Sequence, residues 1–468
     1  MCNGNPGSDN QILPAKALRD RTHVLSSKRD IQEEFSFGKK LIGRGGFGEV
    51  NVAVRRASNG VRAVKSVLQK GASAHSRILG GEMHEAMIMA SVDHPNVVRL
   101  IMTFEDRTHL HMVMELCGGG DLAGHLTEAR FFSGESATSI MTQVLRAICY
   151  LHKCEICHRD VKLENFLVQK PGPLPDNVLK IADFGLACRA SSDDWFTQKL
   201  GTVKYWSPEM AKGRYNRLCD VWGGGVIFYT LLCGAMPFQG KTDDEVLIKV
   251  KKGNYAFLGP AWERVKDIHR GLVRLMLKYE PHDRLCAESL LQELRLAENQ
   301  ANPKELSAKA KKPLLDAGTC SLLAAGLWNL HNSSAFRRAA LRALVWQTDE
   351  ADLTDFGDLF SALDADGDGQ LSAQELRNVG IWELRDVDAN GELDKLCPMD
   401  YTDFQVVMHG EGLCLRRSAF RAAFSALDRD GDGVISKSDL DGVPGMAGKD
   451  VSNMKWDDFE QEVLTLHL

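Results

Sequence analysis

The sequence predicts an α+β protein with two unlike parts: one that is strand-rich first and helical later, then an all-α part. The first observation is a strand pattern over Val50–Val54 and Val61–Val67, separated by a hairpin turn signal. The second is helical periodicity farther along, beginning with Ser136–Leu151. The third is a twelve-residue acidic run that starts at Asp364 and returns 64 residues later at Asp428. Together they indicate two structural units on one chain.

Composition limits the classes of function. The 468 residues suffice for several domains, and the net charge of −6 argues against nucleic-acid binding. The twelve cysteines lack the spacing of a disulfide framework, which indicates reduced thiols in a cytoplasmic protein. No uncharged apolar run approaches 18 residues, so we expect no membrane span. Residue 2 is Cys2 and not glycine, which argues against N-myristoylation. We expect a monomer.

The patterns divide the chain into four segments. Residues 1–34 are polar and predict a flexible N-terminal extension, and 35–298 hold the α+β part. A junction follows over 299–350, and an acidic, repetitive part fills 351–468. Within the junction, Phe336–Trp346 places apolar residues beside three arginines, which predicts a basic amphipathic helix.

A glycine-rich turn lies between the first two predicted strands. Its residues of interest are Gly43, Gly45, Gly46, Gly48 and Val50. Glycines let a backbone fold closely over phosphates, because they carry no Cβ to clash. The same pattern occurs in dinucleotide-binding folds, but there the turn leads into a helix, whereas here it leads into a strand.

Lys65 follows on the next strand, where its ammonium can reach the phosphates. Glu85 lies on a predicted helix and is the candidate partner of Lys65, with Glu82 as the alternative position.

The stretch His158–Asn165 carries the chemistry of phosphoryl transfer. Such transfer needs a carboxylate to orient the acceptor hydroxyl, a cation near the γ-phosphate and an oxygen ligand for a metal. Asp160, Lys162 and Asn165 supply these groups within six residues. Asp183, in Asp-Phe-Gly after an apolar strand, can hold Mg²⁺ against the phosphates together with Asn165.

In their order and spacing these motifs resemble the eukaryotic protein kinases over about residues 35–298. The resemblance implies a bilobal kinase fold, with ATP and Mg²⁺ as cofactors. It also implies further nucleotide contacts at the gate and hinge of the adenine pocket and at the ribose, namely Met114, Glu115, Cys117 and Asp121.

The resemblance also bears on the protein substrate. Lys162 fits specificity for serine and threonine, and Asp121 and Glu164 are placed to bind an arginine upstream of the acceptor. Arg159, beside the catalytic aspartate, needs an anion to order the following loop. We expect Asp193 or Asp194 to replace the phosphate that many kinases use there, so that activity does not require phosphorylation of Thr197.

The two acidic runs predict calcium loops of the EF-hand type, with oxygen ligands at positions 1, 3, 5, 7 and 12. The first loop offers Asp364, Asp366, Asp368, Gln370 and Glu375, and the second offers Asp428, Asp430, Asp432, Val434 and Asp439. The second loop closes with a shorter Asp, which predicts weaker calcium binding or tolerance of Mg²⁺. At position eight of the first loop, Leu371 should pair with a sister loop. The stretches beginning at Asp386 and before Asp458 are interpreted as shortened partner hands, with Asp386 left open as a metal ligand.

The order of kinase, basic junction and EF-hands resembles the calcium-dependent protein kinases of plants and protists. That family implies autoinhibition by the junction, relieved by Ca²⁺. Phe336–Leu341 resembles a basic substrate with Ala340 at the acceptor position, and it fits a groove near Asp121 and Glu164 while calcium is absent. The alternative is that the helix is a structural strut. Two other functions stay open: a calcium-binding scaffold with an inactive kinase fold, and a calcium-independent kinase whose EF-hands dock partners.

Overall fold

The computed structural model describes twelve stretches of the chain. They are residues 25–27, 29–45, 48–68, 82–174, 177–301, 315–348, 356–378, 397–410, 417–440, 443, 446 and 453–464.

A six-stranded sheet forms the first lobe, in the order β1-β5-β6-β4-β3-β2. The strands are β1 (Leu25–Ser27), β2 (Phe35–Gly45), β3 (Gly48–Arg55), β4 (Val61–Leu68), β5 (Leu100–Glu105) and β6 (His109–Met114). The helices of this lobe are α1 (Ile31–Glu34) and α2 (Glu82–Ala90). β1 runs parallel to β5, and the other neighbours pair antiparallel. The predicted hairpin between β3 and β4 is confirmed, with Asn59 at a left-handed φ of 59° in its turn.

The second lobe is helical. Its helices are α3 (Leu122–Ala129), α4 (Gly134–Lys153), α5 (Pro208–Lys212), α6 (Leu218–Cys233), α7 (Asp243–Lys252), α8 (Pro260–Glu263), α9 (Asp267–Met276) and α10 (Ala287–Ala301). Two short antiparallel pairs carry the site: β7 (Ile156–Cys157) with β10 (Cys188–Arg189), and β8 (Phe166–Val168) with β9 (Leu179–Ile181). α6 is buried almost throughout, and a Cβ at Gly225 would lie 2.8 Å from the Leu277 side chain. Glycine there lets the second lobe close around α6.

The C-terminal part is helical apart from short β-pairings between its loops. Its helices are α11 (Ala317–His331), α12 (Ala335–Gln347), α13 (Gly357–Leu363), α14 (Ala373–Asn378), α15 (Tyr401–His409), α16 (Arg417–Leu427) and α17 (Trp456–Leu464). β11 (Gln370–Leu371) pairs with β12 (Met399–Asp400), which confirms the pairing expected at Leu371. Ile435 of the second loop forms the equivalent bridge to Met454. Each calcium loop therefore has a partner segment, although Asp386 lies outside the described residues.

The C-terminal part packs on the outer face of the first-lobe sheet. One hydrophobic cluster joins Phe35 and Phe104 of the sheet to Leu327, Phe360 and Phe420 of the C-terminal helices. The first lobe and the C-terminal part therefore share a core.

The prediction of a flexible extension over 1–34 is wrong for 25–27 and 29–34, which form β1, α1 and their link. Ile31 is 5% exposed, and β1 extends the open edge of the sheet at β5. A three-residue strand is too short to show a periodic pattern, so β1 could not be predicted from periodicity. Residues 1–24 and 28 lie outside the described part.

Phe336–Trp346 is helical as predicted, within α12, but it does not lie in the groove near Asp121 and Glu164. It packs against α15, α16 and α17 instead, and Ala340 is fully buried there. The apolar face of α12 is buried among these helices, where the hydrophobic effect stabilises it.

Candidate active site and calcium loops

The glycine-rich turn joins β2 to β3. Register pairs Gly43 with Val50 and Gly45 with Gly48, while Gly46 lies outside the described residues. Gly48 has a φ of 129°, and a Cβ there would lie 2.5 Å from the Ser66 carbonyl oxygen. Only glycine fits this approach of two strands, which leaves the hairpin backbone free to cover a nucleotide.

Lys65, on β4, links the two lobes. Its Nζ donates to Glu85 Oε1 at 2.7 Å and to Asp183 Oδ1 at 3.0 Å. The structure thus brings the predicted partner Glu85 against Lys65. Burial acts to lower the pKa of Lys65, but the two carboxylates outweigh burial and raise that pKa, so the ammonium stays charged.

The loop between β7 and β8 brings together the predicted transfer groups. Lys162 Nζ lies 2.5 Å from Asp160 Oδ2, and Asn165 Nδ2 donates to the Asp160 carbonyl oxygen at 2.8 Å. Asp160 is buried, with 8% of its surface exposed. A carboxylate held this way can accept a proton from a hydroxyl placed beside it.

Thr202 is a site residue that sequence reasoning missed. Its backbone N–H and its Oγ1 both donate to Asp160 Oδ1 at 3.1 Å, and Lys162 Nζ donates to Thr202 Oγ1 at 3.2 Å. Thr202 lies 42 residues after Asp160, and only the fold brings the two together. The sequence feature that could have identified it is a threonine between the Asp-Phe-Gly stretch and Ser207.

Asn165 and Asp183 lie at the same end of the β8–β9 pair. Asn165 precedes β8 and Asp183 follows β9, whose register pairs Phe166 with Ile181. Asp183 takes a left-handed φ of 64°, a strained conformation that is common at functional sites. Burial acts to raise the pKa of Asp183, but Lys65 outweighs it and lowers that pKa. An ionised carboxylate beside an amide oxygen fits Mg²⁺.

Asp220, at the start of α6, fixes the backbone of this loop. Its carboxylate accepts from the N–H groups of His158 and Arg159 at 2.9 and 2.8 Å, and from His152 Nε2 at 3.0 Å. Arg159 has a φ of 64°, so these bonds hold the chain in a conformation it would not adopt alone.

The predicted hinge residues follow β6. Met114 ends the strand and Cys117 is half-buried beyond it. Glu115 accepts from the Arg99 N–H at 2.6 Å and pairs with Lys180 at 3.1 Å, so its side chain anchors the hinge. Asp121 caps α3 by accepting from the Gly124 N–H at 2.7 Å.

The expectation that Asp193 or Asp194 pairs with Arg159 is wrong. Asp194 accepts from the Ser191 N–H at 2.7 Å, a local turn contact that does not require the loop to fold back. Arg159 donates instead to the Leu186 carbonyl at 2.7 Å and packs against the Phe196 ring. The loop is ordered here by these contacts.

The first calcium loop folds around its own carboxylates. Asp364 accepts from the N–H groups of Gly367 and Gly369 at 2.8 and 3.0 Å, and Glu375 accepts from that of Ala365. Oxygens of Asp364, Asp366 and Glu375 lie within 4.8 Å of one another. Burial together with Asp368 raises the pKa of Asp364 to about 7. Crowded carboxylates of this kind fit a divalent cation, which would neutralise them.

Asp368 completes the first loop by accepting from the Gln370 N–H at 2.7 Å. Burial and the nearby Asp366 raise its pKa to about 6. Gln370, at position seven, would offer its backbone carbonyl.

The second loop repeats this arrangement. Oxygens of Asp428, Asp430 and Asp439 lie within 4.8 Å of one another. The closing Asp439 reaches the cluster in spite of its short side chain, held by Ser436 Oγ at 2.6 Å. Asp432 accepts from the Val434 N–H at 2.8 Å, as its counterpart does in the first loop.

The chain matches the family described as "Protein kinase domain" over residues 37–294, more than half its length, and the family described as "EF hand" over 356–380 and 420–443. It is 30% identical over 430 residues to Calcium-dependent protein kinase 5 of Plasmodium falciparum (isolate 3D7), covering 89% of this chain and 72% of that protein. The chain belongs to the calcium-dependent protein kinases.

Two further relatives of this calcium-dependent protein kinase span most of both chains. Calcium-dependent protein kinase 3 of Plasmodium yoelii yoelii is 31% identical over 431 residues, covering 90% of this chain and 76% of the relative. Calcium-dependent protein kinase 4 of Plasmodium berghei (strain Anka) is 28% identical over 469 residues, covering 95% and 86%. The kinase is a calcium-regulated serine/threonine kinase that uses ATP and Mg²⁺ and binds Ca²⁺ at its EF-hands. None of the helices in the described part is long and apolar enough to cross a membrane.

Proposed function

We propose that Asp160 orients the acceptor hydroxyl and accepts its proton, while Lys162 offsets charge at the γ-phosphate. Thr202 holds Asp160 in place by donating to Oδ1, whereas Lys162 contacts Oδ2. The observation that carries this proposal is the pair of bonds from Thr202 to Asp160 Oδ1, which leave the other carboxylate oxygen facing Lys162. Transfer of phosphate from labelled ATP to a serine peptide, compared between the unaltered chain and Asp160→Asn, tests the assignment.

The nucleotide site of this proposal lies between the lobes. Lys65, held by Glu85, contacts the phosphates, and Asn165 with Asp183 would hold Mg²⁺, which supplies neutralising charge when bound. The remaining contacts are assigned to Gly43, Gly45, Gly46, Gly48, Val50, Met114, Glu115, Cys117 and Asp121.

Substrate preference for an upstream arginine is proposed to come from Asp121 and Glu164. Glu164 is exposed and accepts from the Tyr205 hydroxyl at 3.2 Å, which leaves its other carboxylate oxygen available. The helix that Asp121 caps packs on the turn that carries Glu164, which supports a shared role for the two carboxylates.

Glu164→Gln should lower the preference for arginine about tenfold, because it removes one charge-assisted hydrogen bond. The measurement is kcat/KM for an arginine-containing peptide divided by that for its alanine counterpart. Glu135→Gln, an exposed change elsewhere on the second lobe, should leave the ratio unaltered. An unchanged ratio in Glu164→Gln would contradict the proposal.

The junction is proposed to inhibit the kinase when α12 leaves its position among the EF-hand helices. In the structure α12 is captured there, because Arg342 pairs with Asp400 at 2.8 Å and with Asp403 at 2.6 Å. Trp346 Nε1 also donates to Thr402 at 2.9 Å. An amphipathic helix held in this way cannot occupy the substrate cleft, so calcium that stabilises the capture would activate the enzyme.

Arg342→Ala should reduce stimulation by calcium about tenfold or more, because it leaves the buried Asp400 and the partly buried Asp403 without their cation and weakens the capture of α12. The measurement is the ratio of rates in Ca²⁺ and in EGTA, with a melting curve to verify folding. Arg421→Ala removes an exposed arginine from α16 and should leave the ratio unchanged. Equal stimulation in Arg342→Ala and the unaltered chain would exclude capture as the switch.

We further propose the boundaries 35–298 for the kinase, 299–350 for the junction and 351–468 for the EF-hands. We also propose that the chain is a cytoplasmic monomer. The acidic net charge of −6 supports the proposal that it does not bind nucleic acid. None of the cysteines in the described residues forms a disulfide, as expected for a reducing compartment.

A further inference from the structure

The segment before β2 reaches the second calcium loop through one side chain, Arg29. Its Nη2 lies 3.1 Å from Asp428 Oδ2, and its Nη1 donates to Ser425 Oγ at 2.9 Å. The guanidinium also donates to the Asp428 backbone carbonyl. A Cβ at Gly431 would lie 2.5 Å from Arg29 Nε, so the arginine rests directly on the loop.

Asp428 is position one of the loop, and its carboxylate belongs to the oxygen cluster with Asp430 and Asp439. Asp428 is 4% exposed, so water screens its interaction with the guanidinium only weakly. A fixed positive charge at this distance repels an incoming divalent cation and competes with it for the same oxygens.

We propose that Arg29 is a tethered counter-ion of the second calcium loop, which lowers the calcium affinity of Asp428–Asp439 while residues 25–34 are docked. Thermodynamic linkage makes the effect reciprocal: calcium in this loop loosens β1 and α1 from the kinase lobe. The N-terminal segment is thereby a second route from calcium to the sheet that carries Lys65. The proposal does not rest on the inhibitory role of α12.

The first loop provides an internal reference. The positively charged side chain beside the first loop is Lys153, whose Nζ lies 3.4 Å from Asp366 Oδ1 and 3.3 Å from Glu288. Asp366 is half exposed, and Lys153 is shared with Glu288. A change at Arg29 should therefore leave calcium binding by the first loop as it is.

The test is calorimetric titration of the full chain with Ca²⁺ at physiological salt. All proteins in the titration also carry Asp364→Ala, which removes a calcium ligand of the first loop. The titration then measures calcium binding by the second loop. Arg29→Gln should raise the calcium affinity of the second loop about three- to tenfold, and Arg29→Lys, which keeps the charge, should raise it less. Arg107→Gln removes an exposed arginine from the turn between β5 and β6 of the same lobe and should have no effect. Unchanged or weaker affinity in Arg29→Gln would overturn the proposal.

A second measurement needs no substitution. Amide hydrogen exchange over residues 25–34 should be faster in Ca²⁺ than in EGTA, because calcium displaces Arg29 and weakens the edge pairing of β1. Equal or slower exchange in Ca²⁺ would also overturn the proposal. Peptide phosphorylation measured on the same samples reports the kinase function separately.

Discussion

We expect Asp160→Asn to lower kcat for peptide phosphorylation by about 10²–10⁴-fold. The amide keeps the size of the carboxylate and can still accept from the Thr202 N–H, so the loop should keep its shape. It cannot take a proton from the acceptor hydroxyl, and it leaves Lys162 without its charged partner. The KM for ATP should change little, because Lys65 and Asp183 are untouched. Steady-state kinetics at varied ATP and peptide concentrations measure both quantities.

The matched control is Glu135→Gln, the same chemical change on the surface of the second lobe, where the carboxylate pairs with the exposed Lys266. Its kcat should equal that of the unaltered chain. An Asp160→Asn variant with unaltered kcat would remove Asp160 from the catalytic role.

Arg284→Met should lower the free energy of unfolding by about 3–5 kcal/mol. The Arg284 guanidinium is fully buried and donates to both oxygens of Glu209, at 2.8 and 3.3 Å, and to the carbonyl of Leu218. Methionine fills much of the space but leaves the Glu209 carboxylate buried without its cation. Denaturant titration of the full chain measures the loss.

Exposure distinguishes this pair from a matched surface pair. Lys266 and Glu135 also lie 2.7 Å apart, but each is more than half exposed. Lys266→Met should therefore cost less than about 1 kcal/mol. Adding Glu209→Gln to Arg284→Met should restore part of the lost stability, since it removes the unpaired charge. Equal losses in Arg284→Met and Lys266→Met would show that burial does not determine the strength of this contact.

The transfer and calcium-loop groups could be predicted from the sequence because each set lies within a few residues. Asp160, Lys162 and Asn165 occupy one loop, and twelve consecutive residues form each calcium loop. Their geometry is largely local, so spacing alone specifies it. Residues contributed from a distance were harder to find. Thr202 contacts Asp160 only because the chain returns to the loop between β7 and β8 after forming β8, β9 and β10. Nothing in the sequence around either residue indicates this contact.

The sequence does not decide between two partners that compete for one segment. The apolar face of α12 fits both a cleft and an EF-hand groove, and its occupation of the cleft without calcium stays a prediction. Asp194 can pair with a distant arginine or with the nearby Ser191 N–H, and the local bond costs less chain entropy. β1 and Arg29 were missed because their order comes from neighbouring elements, the edge of β5 and the second calcium loop.

Calcium regulation by the two loops is the central claim, and peptide phosphorylation by the full chain across buffered free Ca²⁺ tests it most directly. A switch from 1:99 to 99:1 needs about 5.5 kcal/mol, which two calcium sites can share. We predict a low rate in EGTA, a high rate in excess Ca²⁺, and a low rate throughout in the double variant Asp364→Ala with Asp428→Ala. Equal rates of the unaltered chain in EGTA and in excess Ca²⁺ would contradict the claim.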